Sequence, residues 1–232
     1  MPYFSDDDVP SVESLRQTQF ELCIASNEIG EMQNLLRKGV DINAECAKYF
    51  DGNTLVLAAE SGSTEAVKFL VHNGVNLESN ALCAAAVYGY GEIVEILLKA
   101  GIKPDSDTIV SVAGTENVKI IEILIQAGAP INAPSSKGLF FALHNAVLAG
   151  HLKVVDVLLK AGANPNVIDE GGSTPLMMSA YGCDPDIARL LLSYGADALL
   201  INADGETATD MANANGSDSH IEIFSRINVV ND

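Results

Sequence analysis

Bulky aliphatic residues recur along this chain at helical spacing, in short runs that end near a glycine. Ile93, Val94, Ile96, Leu97 and Leu98 make one run, Ile120, Ile121, Ile123, Leu124 and Ile125 a second, and Val154, Val155, Val157, Leu158 and Leu159 a third. One acid interrupts each run, Glu95, Glu122 or Asp156, and is expected to face solvent. Such spacing predicts amphipathic helices with one buried face. Before each run lies a shorter stretch: Leu55-Val56-Leu57-Ala58-Ala59, Leu82-Cys83-Ala84-Ala85-Ala86, Leu143-His144-Asn145-Ala146-Val147. Its small side chains predict a second set of helices that approach their neighbours closely.

The glycines give the period. Gly39, Gly74, Gly101, Gly128, Gly162 and Gly195 each follow an aliphatic helix and stand 35, 27, 27, 34 and 33 residues apart. Glycine adopts the left-handed conformation of a helix C-cap at little cost. Polar residues soon after it, at Asp41, Asn43, Asn76, Asn132, Asn164 and Asp197, suit a turn. A period near 33 predicts stacked helix pairs, each burying its face only against its neighbours. The expectation shifts from catalysis in a central cleft to binding along a surface.

The repeats resemble those of the ankyrin family. The best match is Gly172-Ser173-Thr174-Pro175-Leu176-Met177-Met178-Ser179-Ala180, closing on Leu190-Leu191-Leu192 and Gly195-Ala196-Asp197. His144-Asn145-Ala146-Val147-Leu148-Ala149-Gly150-His151, closing on Gly162-Ala163-Asn164, comes next. Phe20 to Asn43 resembles an N-terminal cap, and Asp204 through Phe224 a C-terminal one. The resemblance implies an all-α ankyrin-repeat solenoid of about seven helix-turn-helix repeats over residues 18–228. The units fall at about 18–44, 51–79, 80–105, 106–133, 139–168, 169–201 and 202–228, after an acidic, flexible lead-in over 1–17 that holds at most a short helix around Val12 to Arg16. The two spacings of 27 predict short or missing finger loops in the middle, flanked by long fingers over Asn43 to Asp51 and Asn132 to Phe140. Cys83, Val110 and Met177 replace the histidine of the family's Thr-Pro-Leu-His motif, so its loop-to-loop hydrogen bonds are not expected there. His144 and His151 match histidines of the pattern and are read as structural.

Charge narrows the partners. Thirteen basic residues stand against 31 acidic ones, a net charge of −18. Nucleic acid and anionic membrane surfaces need a basic face, and neither is expected as a partner. Residues 161–232 carry only Arg189 and Arg226 against eleven acids. A basic protein partner fits that imbalance. Cys23, Cys46, Cys83 and Cys183 form no CxxC pair and no metal-ligand spacing with histidine, so buried free thiols are expected and no metal. No secretory leader and no apolar run long enough for a membrane span is seen, so the expected location is cytoplasmic.

Catalysis finds no constellation. His72 lies near a helix C-terminus, where positive charge is favoured, and His220 in the last helix. No HExxH, P-loop, GxSxG or dinucleotide fingerprint occurs, and no cofactor is expected. Gly89-Tyr90-Gly91 is too short to cradle a phosphate.

The resemblance implies binding through a concave face of first helices and finger loops. Tyr49, Phe50, Tyr88, Phe140 and Tyr181 fall on it, in a chain with only 6 Tyr, 7 Phe and no Trp. Aromatic residues are favoured interface anchors. Asp169, Glu170, Asp204 and Glu206 would rim it and steer a basic partner. The expected function is a non-catalytic protein-interaction module, monomeric by preference. One alternative is an acidic inhibitor or immunity-type antagonist of a basic enzyme or toxin. Another is an adaptor or effector acting on host proteins.

Overall fold

A computed structural model describes residues 11–46, 52–138, 140–181 and 184–228, with side chains to 224. All six period-setting glycines take positive φ, from 79° at Gly74 to 108° at Gly101. Each closes its helix in the same way. The glycine N–H donates three residues back, and the next N–H donates five residues back, to a leucine carbonyl. Val40 donates to Leu35, Val75 to Leu70, Ile102 to Leu97, Ala129 to Leu124, Ala163 to Leu158 and Ala196 to Leu191. This is the Schellman closure, with an apolar residue after the glycine as its usual companion. All six leucines are buried. One local motif therefore both stops the helix and seats a core side chain.

The described helices come as pairs, in two units, Met1–Ile102 and Lys103–Asp232. The first unit holds α1 (Val12–Ala25), α2 (Ile29–Arg37), α3 (Thr54–Glu60), α4 (Thr64–His72), α5 (Ser79–Val87) and α6 (Gly91–Ala100). Its first helices pack in the order α1, α3, α5 and its second helices in the order α2, α4, α6. The second unit holds α7 (Ser106–Ala113), α8 (Val118–Gln126), α9 (Ala142–Leu148), α10 (Leu152–Lys160), α11 (Pro175–Ser179), α12 (Pro185–Ser193), α13 (Ala208–Ala214) and α14 (Asp218–Asn228). There α7, α9, α11 and α13 form one layer and α8, α10, α12 and α14 the other. Among the described residues the β-structure is one isolated antiparallel bridge, Glu45 to Asn53.

Burial follows the aliphatic runs. Ile93, Val94 and Leu97 of α6, Ile120, Ile121 and Leu124 of α8, and Val154, Val155, Leu158 and Leu159 of α10 are all buried. Glu95 and Glu122 face solvent, and Asp156 is partly exposed. The short helix expected around Val12 to Arg16 is the start of a longer one, α1. Ser11 caps α1 by accepting the Ser14 N–H at 3.0 Å, and the helix runs unbroken from Val12 into the first repeat.

Finger loops are short where the period contracts. Only six residues separate α4 from α5, and five separate α6 from α7, against fifteen between α8 and α9. In the second unit Asp107 takes over part of the missing finger's work. Its carboxylate accepts the N–H of Ser136 at 2.7 Å and the Ser136 hydroxyl, tying the following finger to α7. Asparagines bind the other fingers in series. The Asn43 side chain accepts from the Asn76 N–H, Asn132 from Asn164, and Asn166 from Asp197, at 2.7 to 2.8 Å. Asn132 and Asn166 also donate to the carbonyls of Gly162 and Gly195. Surface ion pairs such as Lys68 with Glu65 and Glu92 are exposed and screened by solvent, and contribute little.

Candidate functional site

Each unit exposes a tyrosine where a first helix ends. In the first unit Tyr88 caps α5, its N–H donating to Ala84, and its side chain is 60% exposed. Its ring stacks on Tyr90, with centroids 6.2 Å apart and planes at 27°. Tyr90 is held from behind by an absence. A Cβ on Gly62 would lie 2.7 Å from Tyr90 Cζ, so the ring rests directly on the turn after α3. Gly62 itself sits at φ +68°.

That contact makes a stability prediction. Gly62→Ala adds left-handed backbone strain and displaces Tyr90, for roughly 1–3 kcal/mol. Gly74→Ala has a similar φ, +79°, and open space around it, and serves as the strain-only control. Urea unfolding of both variants should show the larger loss at Gly62, and equal losses would mean that the ring contact contributes nothing.

In the second unit Tyr181 follows the cap of α11 and is 62% exposed. Leu148, the last residue of α9 and one repeat earlier, is 48% exposed. The fingers beyond them expose Ile168, Leu199 and Ile201.

Phe140, Asp169, Glu170 and Glu206 of the expected site make contacts within the chain. Tyr49 and Phe50 lie outside the described residues. Phe140 is half-buried and stacks on His144, with centroids 5.5 Å apart. The Asp169 carboxylate accepts the N–H groups of Gly171 and Ser173 at 2.9 and 2.7 Å, so it shapes its own finger. Glu170 lies against Gly138 of the preceding finger, where a Cβ would come within 2.9 Å of Oε1. Asp204 is exposed, while Glu206 accepts from the Asn202 side chain at 3.2 Å.

The histidines are structural in their contacts. His144 is buried between Phe140 and Phe141, and its Nε2 lies 3.1 Å from the Ser173 carbonyl of the next finger. His151 reaches the Gly114 carbonyl at 3.2 Å. Where Met177 replaces the motif histidine, its sulfur accepts the N–H of the capping residue Thr174 at 3.4 Å. His220 is buried, with Nδ1 2.7 Å from the Ser217 hydroxyl. Burial holds both His144 and His220 below the ordinary imidazole value of 6.5. The unfolded chain therefore takes up protons near pH 6.5 that the folded chain resists. Stability is fully present above that value and is lost as pH falls through it toward the lowered folded values. The urea midpoint should drop between about pH 7.5 and 5.5. The drop should shrink in His144→Gln, and an equal drop in that variant would remove His144 from the account.

Cys23, Cys46 and Cys83 form no disulfide with one another, and Cys183 lies outside the described residues. Cys23 and Cys46 are buried, and burial with the nearby Glu21 pushes the Cys46 thiol up to about 12. Among the described residues no group of three or more His, Cys, Asp or Glu stands together as a metal site. No helix among them is long and apolar enough to cross a membrane.

The family model for ankyrin repeats in three copies matches residues 22–108 and 143–229. The chain belongs to the ankyrin-repeat family. The crystal structure of the human ASB11 ankyrin repeat domain superimposes with a TM-score of 0.74 over 87% of this chain and 96% of that one. At 22% identity that likeness is one of fold. Protein phosphatase 1 regulatory subunit 27 of Mus musculus is 43% identical over 83 residues, 36% of this chain and 53% of that protein. Its Homo sapiens counterpart is 47% identical over 70 residues, 30% of this chain and 46% of that protein. The matched ankyrin repeats span about half the length of these relatives.

Proposed function

We propose that this ankyrin-repeat chain is a non-catalytic module that binds another protein through the face of first helices and finger loops, concave in the family. Tyr88 in the first unit and Tyr181 in the second are its anchors. One observation carries the reading: both rings stand about 60% exposed at the ends of first helices whose other large apolar residues are mostly buried. A large aromatic side chain left in water just past a first helix favours a partner that desolvates it. The chain's net charge of −18 favours a basic one.

A second reading places the chain as a regulator of an enzyme. The phosphatase regulatory subunits among its relatives favour it, and so does the acidic 161–232 segment, which suits an antagonist of a basic enzyme. Salt separates the two sources of affinity. Capture of the partner should be repeated at low and at high salt, with bound proteins identified by mass spectrometry. A partner lost at high salt is held by charge, and one that stays is held by the tyrosines. An interaction unchanged by Tyr88→Ala and Tyr181→Ala together would defeat the proposed face.

A further inference from the structure

Two successive fingers of the second unit carry exposed aliphatic side chains in an acidic setting. One finger, 161–174, joins α10 to α11, and the next, 194–207, joins α12 to α13. Both contain the same turn. The Asp169 side chain accepts the N–H groups of Gly171 and Ser173, and the Asn202 side chain those of Asp204 and Glu206. The residue just before each turn is an isoleucine, Ile168 or Ile201, and each is more than half exposed.

The two fingers are joined on either side of these isoleucines. On one side the Asn166 side chain accepts the Asp197 N–H at 2.8 Å and donates to the Gly195 carbonyl at 3.0 Å. On the other the Ala203 N–H donates to the Gly171 carbonyl at 3.0 Å. A Cβ on Gly172 would come within 3.0 Å of the Ala203 nitrogen, so the turns themselves touch. Ile168 and Ile201 therefore stand at matching places in adjacent fingers, open to solvent. Leu199 lies beside them in the sequence, 33 residues after Asn166. A leucine cannot make the link that Asn166 makes, and it too is more than half exposed. Neighbouring apolar side chains left in water mark an interaction surface.

Charge selects the occupant. These two fingers hold Asp169, Glu170, Asp197, Asp204 and Glu206, and no Lys, Arg or His. Nucleic acid and anionic lipid are repelled by such a rim, and so is a second copy of a chain of charge −18. A polypeptide segment that sets large apolar residues between basic ones is complementary. Its apolar side chains cover the aliphatic ones, and the stems of its lysines or arginines lie along them while the charged heads reach the carboxylates.

We propose that Ile168, Leu199 and Ile201 form a docking ridge for such a basic, apolar-anchored segment of a partner protein. This rests on the protein-binding role argued above. It adds a contact separate from Tyr181, which follows the other end of α11, and it names the chemistry of the partner.

The heptapeptide acetyl-Lys-Leu-Lys-Leu-Lys-Leu-Lys amide tests it, titrated into the full chain and followed by the methyl NMR signals of isoleucine and leucine. Saturable shifts are expected at Ile168, Leu199 and Ile201 and none at the buried Ile121. Serine in place of the peptide's leucines should weaken binding about tenfold, and glutamate in place of its lysines should abolish it. Ile168→Ser/Ile201→Ser should also weaken binding about tenfold, with circular dichroism confirming the fold. Glu170→Gln/Asp204→Asn should lower the affinity and flatten its salt dependence. Glu95→Gln/Glu122→Gln removes two charges from the second helices α6 and α8 and should do neither. Equal affinity for the leucine, serine and glutamate peptides, or in the isoleucine variant and the parent protein, would overturn the ridge. A partner protein released by Tyr88→Ala/Tyr181→Ala but kept by the isoleucine variant would remove the ridge and leave the tyrosine face standing. A partner lost from the isoleucine variant alone would remove the tyrosine anchors and keep the ridge.

Discussion

Leu97→Ala is expected to destabilise the protein by about 2–5 kcal/mol, the range for deleting a fully buried leucine side chain. Leu97 is wholly buried in the last helix pair of the first unit. Its carbonyl also receives the Ile102 N–H that closes α6. The substitution leaves that hydrogen bond in place and removes the side chain that packs beneath it. The loss is a packing loss, so the left-handed Gly101 turn should persist. Urea unfolding followed by circular dichroism reads the effect. Leu15→Ala, on the exposed side of α1, is the control and should change stability by less than about 0.5 kcal/mol. A loss at Leu97 below about 1 kcal/mol would mean that the repeat core collapses around the gap far better than a close-packed interior does.

Tyr88→Ala is expected to act the other way, on binding and hardly on stability. The ring is mostly in water and stacks on Tyr90. Truncation should therefore leave the unfolding midpoint within about 0.5 kcal/mol of the parent value. Its effect on a partner that buries the ring should reach that of an interface hot spot, about 2 kcal/mol or roughly 30-fold in affinity. Calorimetric titration with the captured partner measures the second quantity and urea unfolding the first. A variant that unfolds would show Tyr88 to be a core residue. A variant that binds normally would show the ring to be ornamental to the interface.

The features legible in the sequence are those encoded within one repeat and written several times. Leucine, then four residues on a glycine, then an apolar residue, is enough to specify a closed helix end. The six copies predicted six left-handed glycines that the structure contains. The contraction of the period likewise predicted the short connections before α5 and α7. The start of α1 was harder to read for a physical reason. Among the described residues α1 packs on α2 and α3, and it leaves Val12, Leu15 and Leu22 exposed while burying Phe20, Cys23 and Ile24. Apolar residues then fall on both faces and the periodicity fades.

The site was less legible, because its parts meet across repeats. Nothing local in Tyr90 or Gly62 tells that the ring of one lies on the backbone of the other, 28 positions away. The asparagines looked like turn formers, and Asn43 and Asn132 also reach the next repeat's backbone. Asp169 looked like a free rim charge and is turned into its own loop. Short polar side chains serve loop geometry and binding equally well in a sequence, and only the position of the neighbouring N–H groups separates the two roles. Tyr88 and Tyr181 stand exposed just past their first helices, one at the cap of α5 and the other one residue after the cap of α11.

The most direct test of the binding face is a side-by-side capture with three tagged proteins: the parent chain, Tyr88→Ala/Tyr181→Ala, and Lys99→Ala/Lys160→Ala. The last pair carries its changes on exposed positions of the second helices α6 and α10. One stoichiometric partner protein is expected on the parent and on the second-helix variant, and its loss is expected from the tyrosine variant with the fold intact. A partner kept by the tyrosine variant, or lost from the second-helix variant alone, would contradict it.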